Sequence, residues 1–153
     1  MSQFDATIGW QRGQQQFTDN RYRRAHEWAF DGGARVPASS SPLSVPVPLS
    51  DPAGVDPEEA LVAATSSCHM LWFLSLAAKA GYTVDRYTDR AFGVLGQNSD
   101  NQIALTRITL RPQTVFSGTA QPTPEQLEAL HHQAHEQCTI AHSIRAEVVL
   151  ELL

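Results

Sequence analysis

Between Asp56 and Gly81 the apolar positions keep to no single face. Leu61, Val62, Met70, Leu71, Trp72, Phe73, Leu74 and Leu76 fall nearly all round a helical wheel, which predicts a helix surrounded by protein. Asp56-Pro57-Glu58-Glu59 reads as its start, with Asp as N-cap, Pro at the first helical position and acids in the first turn. The helix is expected to run to Ala80, with Gly81 as its left-handed cap. Thr123-Pro124-Glu125-Gln126 repeats that grammar with a capping-box glutamine, and predicts a second helix through EQLEALHHQAHEQ to about Cys138.

Elsewhere the period changes to two. Ile144, Ala146, Val148, Leu150 and Leu152 alternate with Arg145, Glu147 and Glu151, a one-sided strand. Residues 86–97 and 102–116 read as a hairpin pair about the turn Asn98-Ser99-Asp100-Asn101. DATIGWQ, HEWAFDG and ARVPA suggest up to three strands before the first helix. Residues 38–54, with Pro42, Pro46, Pro48 and Pro52 and no helical period, are expected to be a surface connection or an irregular edge. Strands, helix, strands, helix, strand is an α+β order. With 153 residues and no internal repeat, one domain spanning 1–153 is the expectation.

Charge removes several function classes. A formal net charge of −5 without a basic stripe points away from nucleic acid and from anionic membranes. Residues 60–78 carry no formal charge, but Thr65, Ser66, Ser67, Cys68, His69 and Ser75 interrupt them and no positive flank precedes them. A buried core helix, not a membrane span, is expected. The opening MSQFDATIGWQRG has no apolar core of the signal-peptide kind, so a reducing, cytoplasmic setting is expected.

In such a setting the two cysteines, Cys68 and Cys138, become the candidate chemistry. Each alone reads as a small buried hydrophobe. A reactive thiolate needs a cation or a helix N-terminus, and Cys68 lies too deep in its helix for the dipole to help. Arg21, Arg23 and Arg24 of RYRRAH are the densest cation supply, with Arg12 a lone fourth candidate. A metal site is the third possibility: His131, His135 and Cys138 share one helix face, and Cys68-His69 could complete a tetrahedron for zinc.

DPEEALVAATSSC resembles the signature of the osmotically inducible / organic hydroperoxide resistance family, the OsmC-like proteins. LSLAAKAGYTV resembles the end of that family's helix, and EQCTIAHSIRAEVVLEL its second-cysteine segment and terminal strand. The resemblance implies an OsmC-like fold, antiparallel sheets wrapped around central helices in an intertwined homodimer. It implies a thiol-dependent peroxidase that needs no cofactor, takes a small-molecule hydroperoxide and is reset by an external dithiol. By the same resemblance Cys68 is the peroxide-attacking cysteine, Cys138 the resolving one, Glu58 the arginine-holding carboxylate, and Arg24 (Arg12 second) the arginine. Two positions depart from the family pattern: Thr139 follows Cys138 where proline is usual, and His69 stands where an aromatic or aliphatic residue is common.

The implied site makes a geometric demand. Ten residues of straight helix separate Glu58 from Cys68 by ~15 Å along the axis. A bend at Thr65-Ser66-Ser67, a spanning arginine or a second chain would have to close that gap. Two other readings keep the fold without turnover: a dimer that binds zinc or a small ligand, and a peroxide sensor.

Overall fold

The computed structural model describes residues 1–152, in two compact units, one from Met1 to Ala60 and the other from Leu61 onward. In the first, β1 (Ala6–Gly9), β2 (His26–Phe30) and β3 (Arg35–Ala38) form an antiparallel sheet in chain order. The β1–β2 connection folds around its own aromatics: Phe17 stacks on Tyr22 at 4.7 Å between centroids, and Trp10 meets Tyr22 at 5.3 Å. The Trp10 indole N–H, which needs an acceptor, donates to the Arg23 carbonyl at 2.8 Å.

Residues 38–54 form the irregular edge of β3, but they are more than a surface connection. Ser39, Ser41 and Ser50 are buried. Ser39 N–H donates to Val55 O and Val55 N–H to Pro37 O, so Val55 lies beside Ala38 in a parallel bridge. Gly54 permits that approach, because a Cβ there would lie 2.8 Å from the Ala38 carbonyl carbon.

Helix α1 (Pro57–Lys79) starts where the sequence places it. Asp56 Oδ1 accepts the Glu59 N–H at 2.8 Å, and Glu59 Oε2 accepts the Asp56 N–H at 3.2 Å, a reciprocal cap. It ends in a Schellman turn: Tyr82 N–H reaches Ala77 O, Gly81 N–H reaches Ala78 O, and Gly81 takes φ +84°. The helix is unbroken at Thr65-Ser66-Ser67, where Thr65 Oγ1 donates to Leu61 O at 2.8 Å and satisfies its hydroxyl without a bend. Within one chain the expected all-round enclosure is not found. The buried residues are Thr65, His69, Phe73 and Ala77, a single stripe at four-residue spacing, while Leu71 is 61% exposed.

In the second unit the expected hairpin is longer and divided. Its outer halves, β4 (Thr83–Asp89) and β7 (Pro112–Ser117), pair as one sheet, and β5 (Phe92–Gln97) pairs with β6 (Ile103–Leu110) in another. The break falls where Pro112 has no N–H to donate and the Arg111 N–H turns to the Asp89 carboxylate at 2.7 Å. β8 (Glu147–Leu150) is shorter than the alternation suggested and joins β6 in parallel, so one ladder departs from the antiparallel expectation.

Helix α2 (Pro124–Gln137) carries the expected Thr123/Gln126 capping box. A short α3 (Thr139–Ser143), which the sequence did not announce, follows it after the single residue Cys138. The core of this unit is Phe73, Ala77, Leu130 and Ala134, with Trp72, Tyr82, Phe116 and Leu127 packed around it.

Candidate functional site

Cys138 is the joint between two helices. It ends α2, its N–H donating to His135 O, and it caps α3, its Sγ accepting the Ala141 N–H at 3.4 Å. Its side chain is 1% exposed. Cys68, on the fourth turn of α1, is half-buried, and its thiol lies close to that of Cys138. Both sulfurs are free thiols. Burial is the main reason the Cys138 thiol is pushed up to about 11, and the neighbouring Cys68 adds to it against the opposing Ala141 N–H. Cys138 therefore keeps its proton at neutral pH and can donate it to a sulfur beside it.

Next to the thiols lies a buried histidine pair. His69 Nε2 and His131 Nδ1 are 3.0 Å apart, the two rings are within 2° of parallel, and both residues are 1% exposed. Phe73 stacks on His131 at 4.2 Å. Burial holds His69 down to about 4, with His135 contributing, and His131 down to about 3, with His69 and His132 contributing. The pair is neutral at pH 7, so one ring donates and the other accepts. Among the described residues His69 Nδ1 is left without a partner, and an orphan lone pair costs less than an orphan N–H. That assigns His69 as the Nε2–H donor and His131 Nδ1 as acceptor.

The histidine face of α2 does not assemble a metal site. Among the described residues no three His, Cys, Asp or Glu side chains are placed to hold one ion. The His131 lone pair that zinc would use is taken by His69. Sequence reasoning singled out both histidines, yet it missed their pairing. The seven-residue spacing of His131 and the Cys138 cap was a signal that this histidine shares a face with the thiol, but it says nothing of His69.

Arg24 and Glu58 belong to the first unit, and the structure does not join them. The Arg24 guanidinium lies 3.9 Å over the Tyr22 ring and donates to Tyr22 O, Asn20 O and Asn20 Oδ1. Glu58 is half-buried in the first turn of α1. Among the described residues neither forms an ion pair. Arg12 is exposed and donates to Gln15 O at 2.9 Å.

Residues 50–153 match the sequence profile of the OsmC-like proteins. An OsmC-like protein of unknown function from Vibrio cholerae is 58% identical and superposes with a TM-score of 0.98 over 100% of both chains. An organic hydroperoxide resistance protein from Elizabethkingia anophelis is 17% identical, with a TM-score of 0.70 over 99% of this chain and 94% of its own. The organic hydroperoxide resistance protein OhrB of Bacillus subtilis is 20% identical, with a TM-score of 0.66 over 98% of each chain. The two hydroperoxide resistance proteins share the α+β fold. No curated protein matches the chain.

Proposed function

The chain belongs to the OsmC-like family, and on that premise we propose that it is a two-cysteine peroxidase for organic hydroperoxides. One observation carries the reading: the chain's two thiols, seventy residues apart in sequence, stand side by side at the meeting of two helices. The Cys68 thiolate attacks one oxygen of the hydroperoxide, the O–O bond breaks, and the departing alkoxide takes a proton and leaves as alcohol. Cys68 is then a sulfenic acid. The Cys138 sulfur attacks it, the S–O bond breaks, the departing hydroxide takes the Cys138 proton and leaves as water, and a Cys68–Cys138 disulfide remains. An external dithiol takes up the oxidising equivalents and restores both thiols by exchange.

In this proposal Arg24, or Arg12 in its place, stabilises the thiolate and the oxygen that gains charge, and Glu58 orients the guanidinium. On the unbroken α1, Glu58 stands ~15 Å along the axis from Cys68, so an arginine or a second chain must bridge them. The exposed Leu71 side of α1 supports an intertwined homodimer as the working form. The full-length match to the Vibrio protein supports treating residues 1–153 as one OsmC-like domain. The expected setting is the cytoplasm, where dithiol reductants are at hand.

The test is a thiol count and a turnover assay on one sample. One equivalent of an organic hydroperoxide should remove both thiols within a single chain, and dithiothreitol should sustain hydroperoxide consumption. Thiols that survive the hydroperoxide, or a disulfide that forms once without turnover, would overturn the proposal.

A further inference from the structure

The His69–His131 hydrogen bond lies where it can control how the two sulfurs meet. Among the described residues it is the one side-chain hydrogen bond linking α1 to α2, the two helices that bring Cys68 and Cys138. His69 follows Cys68 directly on α1, so both links leave α1 at one level. On α2 they are two turns apart, with His131 ~10 Å along the axis from Cys138. The histidine contact is thus a pivot, and Cys138 sits at the end of a lever. A rotation of α2 by about 10° about His131 would sweep Cys138 by ~2 Å, from that ~10 Å arm.

Disulfide chemistry does not tolerate such a sweep. The bond needs sulfurs at ~2.05 Å and Cβ atoms at ~3.5–4.5 Å. Phe73 presses on one face of His131, and His69 and His131 are each 1% exposed, so the pivot is held by packing as well as by its hydrogen bond. The apolar contacts of Leu130 and Ala134 seat α2 but permit sliding, because dispersion contacts are not directional. A single directed bond between two buried planar rings fixes the angle.

We propose that His69 and His131 are positioning residues that set the geometry of disulfide closure between Cys68 and Cys138. The proposal rests on the two-cysteine reading for its redox cycle. It concerns closure and leaves oxidation of Cys68 aside: Cys68–SOH and Cys138–SH yield Cys68–S–S–Cys138 and water, the oxidant having been an organic hydroperoxide. Neither imidazole exchanges a proton with substrate. Histidine at position 69 thereby gains a reason, since an aromatic or aliphatic side chain there could not make this bond.

The experiment uses the full chain with His131→Leu, the double variant His69→Leu/His131→Leu, and His131→Asn. The asparagine places a polar atom where Nδ1 stood and can still accept from His69 Nε2–H. The double variant removes both polar partners together, which preserves folding if His131→Leu alone does not. Cumene hydroperoxide is added in a stopped-flow mixer, and sulfenic acid is captured with dimedone against time. Sulfenic acid formation should stay within twofold of the native chain in every variant. Closure should slow tenfold or more in both leucine variants, and His131→Asn should recover most of it.

A second measurement owes nothing to hydroperoxides: equilibration of each chain with glutathione redox buffer. The same loss of geometry should make the disulfide about tenfold easier to reduce in the leucine variants, a rise of about 30 mV. A native chain that ignores cumene hydroperoxide, beside leucine variants shifted in glutathione, would overturn the peroxidase reading and keep the positioning role. Closure and glutathione equilibrium unchanged in folded leucine variants, formation and closure slowed alike, or no recovery in His131→Asn would each overturn the positioning role.

Discussion

The Ser66 hydroxyl donates to Asp89 Oδ2 at 2.5 Å, and the other oxygen of that carboxylate accepts the Arg111 N–H at 2.7 Å. One side chain thereby fastens α1 to the corner where the long hairpin divides. Asp89→Ala leaves a half-buried hydroxyl and a corner amide without their acceptor, so a loss of about 2–3 kcal/mol is expected in urea denaturation. Asp89→Asn, which retains an acceptor, should lose less. Equal losses for the two would show that charge, and not acceptance, holds the corner.

Tyr87 makes the opposite case. Its hydroxyl is buried with no hydrogen-bond partner among the described residues, and burial together with Asp89 raises its pKa. Tyr87→Phe keeps the ring against Phe73, 5.6 Å between centroids, and discards the stranded polar atom. Stability should rise by up to ~1 kcal/mol, read as a higher melting temperature. A clear drop would mean that the hydroxyl has a partner in solution.

The histidine pair gives the protein an acid limit. Folded values of about 4 for His69 and about 3 for His131 lie below the ordinary 6.5, so the unfolded chain binds more protons across that interval. Stability contributed by the neutral pair is complete above pH 6.5 and drains away as pH falls toward the folded values. Each histidine adds up to ~1.4 kcal/mol per pH unit to the slope. Urea melts between pH 7 and pH 5 should show this decline, and the double leucine variant should flatten it. An identical slope in that variant would place the acid sensitivity elsewhere.

For the cysteines the expected results differ in kind. Cys68→Ser should lose hydroperoxide consumption by several orders of magnitude with its circular dichroism unchanged. Cys138→Ser should still oxidise at Cys68 but stop at a dimedone-reactive sulfenic acid. Its serine hydroxyl can accept the Ala141 N–H in place of Sγ, so α3 should persist. If Cys138→Ser instead yields no dimedone adduct at Cys68, the attacking role assigned to Cys68 is wrong.

Local chemistry made much of this legible from residues alone. Asp56, Thr123, Gly81 and the 98–101 turn have short-range jobs, and each does the job its sequence neighbourhood announces. The joint at Cys138 was less visible, because Thr139–Ser143 is too short to show a helical period. The division of the hairpin was hidden for another reason: it depends on Asp89 meeting Arg111, twenty-two residues away. Likewise His69 and His131 are sixty-two residues apart, and no period or spacing pairs them. Cys68 and Cys138 were coupled by family resemblance, whereas the fold brings them close together.

The parallel ladder between β6 and β8 also constrains how the chain acquires its shape. Arg107 sits opposite Glu147 and Leu110 opposite Leu150, pairings that span forty residues. While the polypeptide emerges from the ribosome, β6 has only β5 beside it, and its other edge stays open until residues 147–150 arrive. Closure of that sheet must therefore be a late and comparatively slow event, with the nascent edge exposed to wrong neighbours in the meantime.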